Sequence, residues 1–119
     1  MFTISKEFTF DAAHQLIGLP ADHPCTRLHG HTYTVIMELS RPVLKEPGFV
    51  VDYRELGIVK TWIDTFLDHR NLNDVLQMNP TAEIIAQYIY EHWKDMLPEL
   101  TAVTVKETPK TKARYEPNS

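Results

Sequence analysis

Apolar and polar residues alternate from Phe2 to Phe10: Phe2, Ile4, Lys6, Phe8 and Phe10 share one parity, apolar but for Lys6, and Thr3, Ser5, Glu7 and Thr9 fall between them. A period of two predicts a strand with one buried face. Pro20 and Pro24 flank a loop. Alternation returns over His29–Ser40, with Tyr33, Val35, Met37 and Leu39 opposing Thr32, Thr34 and Glu38, and predicts a second strand. After a turn region at Pro42–Gly48 the period lengthens. Leu56, Val59, Ile63, Phe66 and Leu67 recur at helical spacing, and Asp52 with Glu55 three residues later reads as a capping box. The polar run Asp68–Asp74 breaks that pattern. Asn79-Pro80-Thr81 opens a second helix, striped by Ile85, Tyr88, Ile89 and Met96 and ended by Pro98. Val103 and Val105 begin a third strand, Pro109–Thr111 forms a turn, and Ala113–Tyr115 makes a fourth strand.

Two hairpins bracketing two helices predict an α+β fold: a four-stranded antiparallel sheet with two helices packed on one face. The 119 residues leave room for one core, so residues 1–119 read as a single domain. So small a sheet leaves open edges, and pairing with neighbouring subunits is one remedy, so a homo-oligomer joined through sheet edges is expected. The hydrophobic fraction of 43% and charged fraction of 24% are ordinary for a globular chain. A net charge of −4 argues against a general nucleic-acid binder. No apolar run approaches the roughly 20 residues of a membrane span. Lys6, Glu7 and Asp11 in the first stretch do not suit a secretory signal. The only cysteine, Cys25, has no internal disulfide partner. A cytoplasmic location follows as the expectation.

The chemistry concentrates in histidines. His29 and His31 open the second strand two residues apart, on the face of Tyr33 and Val35, and about 6.6 Å apart along the strand. Two imidazoles at that spacing can lean onto one ion with Zn–N bonds of ~2.0–2.1 Å. His14 closes the segment of the first strand. If the two strands are antiparallel neighbours, its ring meets the other two. Three neutral nitrogen ligands with a vacant fourth position suit a catalytic zinc rather than a structural one. A His-x-His pair alone is more often a surface or core feature, and the third histidine is what raises the reading. His23 and His92 carry no assigned role. Glu107 shares the parity of Val103 and Val105, so its carboxylate points toward the buried side and needs a partner there.

Cys25-Thr26-Arg27-Leu28-His29-Gly30-His31, preceded by Phe10-Asp11-Ala12-Ala13-His14, resembles the pterin synthases of the T-fold. The resemblance continues through Gly48–Tyr53, Leu67–Asp74, Asn79–Glu83 and Val105–Thr108, and spans nearly the whole chain. The short gap between Cys25 and His29 is similar to that of the bacterial 6-carboxytetrahydropterin synthases of queuosine biosynthesis; the 6-pyruvoyl-tetrahydropterin synthases have a longer one. The resemblance implies a zinc lyase that converts 7,8-dihydroneopterin triphosphate to 6-carboxy-5,6,7,8-tetrahydropterin, acetaldehyde and triphosphate. It implies His14, His29 and His31 as the Zn2+ ligands, Cys25 as the base, and Asp68 with His69 as a proton relay. It also implies that Glu107 anchors the pterin's N3–H and 2-amino edge. Arg27, Lys106, Lys110 and Lys112 are the candidates for the triphosphate, and a homohexamer of two trimers with interfacial sites is expected. Arg70 and Ala82 depart from residues common in relatives, which touches substrate contacts rather than the ligand set.

Three other readings compete. A pyruvoyl-type synthase would eliminate triphosphate without releasing acetaldehyde. A zinc hydrolase would not need Cys25. A non-catalytic pterin- or metal-binding module would hold zinc and leave the substrate intact.

Overall fold

A computed structural model describes residues 1–117. The first alternating segment forms β1 (Phe2–His14), the second β2 (His29–Arg41), and they pair antiparallel along their whole length, from Phe2 opposite Arg41 to His14 opposite His29. Leu100–Thr108 (β4) lies on the other side of β2, and Thr111–Tyr115 (β5) follows through a tight hairpin. The parity read from sequence holds for Phe8, Phe10, Tyr33, Val35, Met37 and Leu39, which are buried. It fails at the start of β1, where Phe2 is exposed, and in β4, where Ala102 and Thr104 are buried along with Val103 and Val105.

The sheet has five strands, not four. Arg70–Asn71 (β3) pairs parallel with Ala12–Ala13, giving the order β3-β1-β2-β4-β5. Two residues are too few to show a period, so a strand this short leaves no trace in an alternation pattern. It is followed directly by the single turn α2 (Leu72–Val75).

The two expected helices are α1 (Gly57–Phe66) and α3 (Ala82–Trp93). Val59, Ile63, Ile85 and Ile89 join the strand residues in one hydrophobic cluster, so both helices cover the same sheet face. The apolar stripes differ from expectation at two points. Phe66 is exposed at the end of α1, and Met96 lies past the end of α3 and is exposed, while Trp93 and Leu97 take the buried places. Asp52 caps a 3-10 turn (Tyr53–Leu56) ahead of α1 rather than the helix itself. Its carboxylate accepts the Arg54 N–H at 2.9 Å and pairs with the Arg54 guanidinium at 2.9 Å, so Arg54 occupies the carboxylate in place of the expected capping box with Glu55. No helix among the described residues is long and apolar enough to cross a membrane.

Candidate functional site

The β1–β2 register sets the site. Because His14 pairs with His29, and His31 follows two residues along the same face, three imidazoles gather at one end of the sheet. One ring nitrogen from each lies within 4.8 Å of the others. The ring centroids are 4.5 Å apart for His14–His29, 5.2 Å for His14–His31 and 4.9 Å for His29–His31, all edge to face. Opposite them, Gly30 sits with only the Ala12 carbonyl near where a Cβ would stand, at 3.5 Å.

Backbone carbonyls fix two of the tautomers. His14 Nδ1 is 2.7 Å from the Pro80 carbonyl oxygen, and His29 Nδ1 is 2.8 Å from that of Arg27. A carbonyl only accepts, so both Nδ1 atoms carry the proton and both Nε2 atoms are bare lone pairs. Those two Nε2 atoms face each other at 2.9 Å. Two rings in that tautomer cannot satisfy the contact, whereas a proton or a metal ion shared between them can. The third nitrogen, His31 Nε2, is buried with no hydrogen-bond partner. Burial holds the His31 imidazole below its ordinary pKa; the Glu107 carboxylate pulls the other way, and His14 and His29 reinforce the lowering. The ring is therefore neutral at pH 7, the form that binds a metal. Tetrahedral coordination at ~2.05 Å requires nitrogens about 3.3 Å apart, between the observed 2.9 Å and the 4.8 Å limit. Backbone carbonyls that accept from the far nitrogen of a ligating histidine, and so orient its ring, are a regular feature of metal sites. The donor set fits a divalent ion.

Glu107 reaches this cluster from β4, its carboxylate 4.0 Å from His31 Nε2. It also lines a recess of about 310 Å3 with Leu16, Thr81, Thr111 and Lys112, between the start of α3 and the β4–β5 hairpin. Tyr33, fully buried, stacks on Phe10 at 5.0 Å and packs edge-on against His14 and His31. Burial first, and Glu107 second, push its phenol pKa well above the ordinary value, so it stays a neutral wall of the site.

The other expected residues lie apart. Cys25 is half-buried in a one-turn 3-10 helix (Pro24–Thr26), its carbonyl accepting the Leu16 N–H at 2.8 Å. Arg27 brings its backbone carbonyl to His29, while its side chain belongs to an exposed residue. Asp68 and His69 bond to each other at 2.8 Å beside the β1 edge. There the Asp68 carboxylate accepts the Asp11 N–H at 2.9 Å, and the His69 N–H donates to the Asp11 carbonyl at 2.6 Å. His69 has φ of 58°, a left-handed backbone that these bonds hold in place. The Asp11 N–H and then His69 lower the Asp68 pKa, and the hydrogen bond from Asp68 raises that of His69. His31 and His69 both line an open cleft of about 610 Å3, together with Asp11, Gly30, Thr32 and Arg70. Among the described residues no hydrogen bond joins Cys25 or the Asp68–His69 pair to the three histidines.

Sequence reasoning missed Pro80 and Arg27, whose carbonyls accept from the rings of His14 and His29, and Thr32, whose hydroxyl donates to the Asp11 carboxylate. Any residue carries a carbonyl, so no side-chain signal could have found the first two.

Fold and site together define a small α+β protein with three imidazoles clustered at its strand ends, placed so that they could hold a metal ion. Residues 3–118 match the family described as 6-pyruvoyl tetrahydropterin synthase, and the chain belongs to that family. It is 38% identical to the 6-carboxy-5,6,7,8-tetrahydropterin synthase of Synechocystis, over 97% of this chain and 93% of that protein. It is 31% identical to the enzyme of the same name from Bacillus subtilis, over 98% of this chain and 86% of that one. A solved structure of 6-pyruvoyl tetrahydropterin synthase from Caenorhabditis elegans superposes with a TM-score of 0.87, at 28% identity, covering 98% of this chain and 96% of that one. The sheet with its helices on one face is thus the T-fold, and the family is one of tetrahydropterin synthases.

Proposed function

We propose that the protein is a zinc-dependent lyase of queuosine biosynthesis. It converts 7,8-dihydroneopterin triphosphate and water to 6-carboxy-5,6,7,8-tetrahydropterin, acetaldehyde and triphosphate. The observation that carries this reading is the pair of bare Nε2 lone pairs 2.9 Å apart beside the orphaned, buried Nε2 of His31, a cluster that calls for a cation. Near full-length identity to two 6-carboxytetrahydropterin synthases supports the carboxy-type product.

His14, His29 and His31 would hold the zinc, the Pro80 and Arg27 carbonyls orienting the first two rings and burial lowering the pKa of the third. When bound, the ion supplies Lewis-acid charge that acidifies the hydroxyls of the substrate side chain and steadies negative charge developing there. Glu107 accepts the pterin's N3–H and 2-amino group as two parallel hydrogen bonds, from the recess beside the cluster. Cys25 acts as the base that removes a proton from the side chain. His69, kept protonated to higher pH by Asp68, delivers or collects the proton. Arg27, with Lys106, Lys110 and Lys112, neutralises the triphosphate.

The placement of the expected site residues at opposite sides of the sheet supports an active site shared between subunits. The Asp68–His69 pair sits at the β1 edge, whereas Glu107 and Lys112 face the β5 side. A homohexamer of two trimers joined through these edges brings the two halves of the site together, in a cytoplasmic protein whose whole chain is one pterin-synthase domain. A second reading, the pyruvoyl-type elimination, draws support from the name of the Caenorhabditis elegans neighbour. Incubating zinc-loaded protein with 7,8-dihydroneopterin triphosphate and identifying products by mass spectrometry decides between them. Acetaldehyde and the 6-carboxy product are expected. Triphosphate without acetaldehyde selects the pyruvoyl-type reaction, and untouched substrate refutes both.

A further inference from the structure

His23 has no part in the chemistry above, yet four hydrogen bonds converge on it. Its Nδ1 accepts the Cys25 N–H at 3.1 Å, and its own N–H donates to the Pro20 carbonyl at 2.9 Å. Its carbonyl accepts both the N–H of Thr26, at 3.1 Å, and the Thr26 hydroxyl, at 2.7 Å. His23 is thus the N-cap of the 3-10 turn that carries Cys25. Ser, Thr, Asp and Asn usually fill such a position, because each offers a side-chain oxygen to an unpaired N–H. An imidazole does the same only with Nδ1 bare and the proton on Nε2. Pro24, next in the chain, has no N–H to compete, so the Cys25 N–H is the first donor that the ring meets.

The other side of Cys25 is equally tied. Its carbonyl accepts the N–H of Leu16, two residues beyond His14, at 2.8 Å. Two residues on, the Arg27 carbonyl accepts from His29 Nδ1. The cysteine's turn is therefore strung between two of the three clustered histidines, and among the described residues the His23 ring makes the one side-chain bond to the cysteine's own backbone.

We infer that His23 is a positioning residue: its imidazole clamps the Cys25 N–H and so holds the thiol in the half-buried place from which it works on the substrate. The inference rests on the reading of Cys25 as the base. Without the clamp the turn loosens, the thiol becomes more accessible to reagents, and its catalytic placement is lost.

Full-length, zinc-loaded protein and the variants His23→Ala and His23→Asn test this. Cys25 is the only thiol, so its alkylation by iodoacetamide can be followed by mass spectrometry without interference. In His23→Ala the alkylation rate is expected to rise, and kcat to fall, each about five-fold, the effect of a lost N-cap acceptor. KM and zinc content should stay at parent values. His23→Asn offers a side-chain oxygen to the same N–H and should restore both rates, which a general weakening of the loop would not explain. An unchanged alkylation rate in His23→Ala overturns the inference, as does failure of His23→Asn to restore it. Full turnover by Cys25→Ala would instead overturn the role of Cys25, and the alkylation rates would still decide whether His23 holds the turn.

Discussion

Stripping the metal from the three-imidazole site should lower the melting temperature by about 11 °C. The unloaded cluster holds two Nε2 lone pairs 2.9 Å apart and a third buried nitrogen without a partner, so it gains more from a cation than a set of solvated rings would. An ion that binds only the folded chain, present at a hundred times its dissociation constant, adds about 2.7 kcal/mol of stability. Unfolding entropy of about 2.1 cal/mol/K per residue gives roughly 0.25 kcal/mol/K for a chain of this length. The quotient is the shift above. The assay is differential scanning calorimetry of the zinc-loaded protein and of the same sample after chelation, with metal content measured in both. His29→Ala is the control. It removes a ligand and the Nε2 conflict together, so its melting should be insensitive to chelator and lie near that of the stripped parent. Equal melting temperatures with and without verified metal would refute the reasoning, and so would a chelator-sensitive transition that survives in His29→Ala.

Three further outcomes can be measured. Glu107→Gln keeps the shape and loses one of two charge-assisted acceptors for the pterin edge. KM for 7,8-dihydroneopterin triphosphate should rise by the equivalent of about 1.5–3 kcal/mol, with zinc content unchanged; an unaltered KM would remove Glu107 from pterin binding. Asp68→Asn removes the carboxylate charge and weakens the hydrogen bond that together raise the His69 pKa. The protonated ring then survives only to lower pH, so the basic limb of the kcat profile should move toward acid, and a limb that stays put would dissociate His69 from the rate. Glu38 accepts Arg114 Nε at 2.8 Å and Nη2 at 3.2 Å, and that hydrogen bond lowers its pKa below the ordinary 4.5. A carboxylate depressed in the folded state contributes stability above its unfolded value and loses it as pH falls through the folded one. Half-exposure of Arg114 limits the pair to about 0.5–1 kcal/mol. Urea denaturation of Glu38→Gln should show that deficit at pH 7, begin to lose it below about pH 4.5 and merge with the parent only once pH is below the depressed folded-state pKa; a deficit that persists at still lower pH would refute the ion-pair account.

Much of this protein was legible before any coordinates. Period-two alternation fixed the faces of β1 and β2, because a strand sends successive side chains to opposite sides whatever surrounds it. That parity was enough to put His29, His31 and Tyr33 on the core side, and helical spacing was enough to find α1 and α3. The same local rule failed where elements are too short to repeat, as at Arg70–Asn71, and where a helix ends, as at Phe66 and Met96. The meeting of His14 with His29 was inferable only on the assumption that their strands were neighbours; the pairing itself is a long-range register, set by the whole hydrophobic face at once. Tertiary structure alone decided what turns three nearby rings into a ligand set. Pro80, 66 positions along the chain from His14, supplies the carbonyl that fixes its tautomer, and Asp11 holds His69 left-handed from another strand. Backbone groups carry no residue identity, so a sequence names the side chains that can do chemistry and leaves it to folding to aim them.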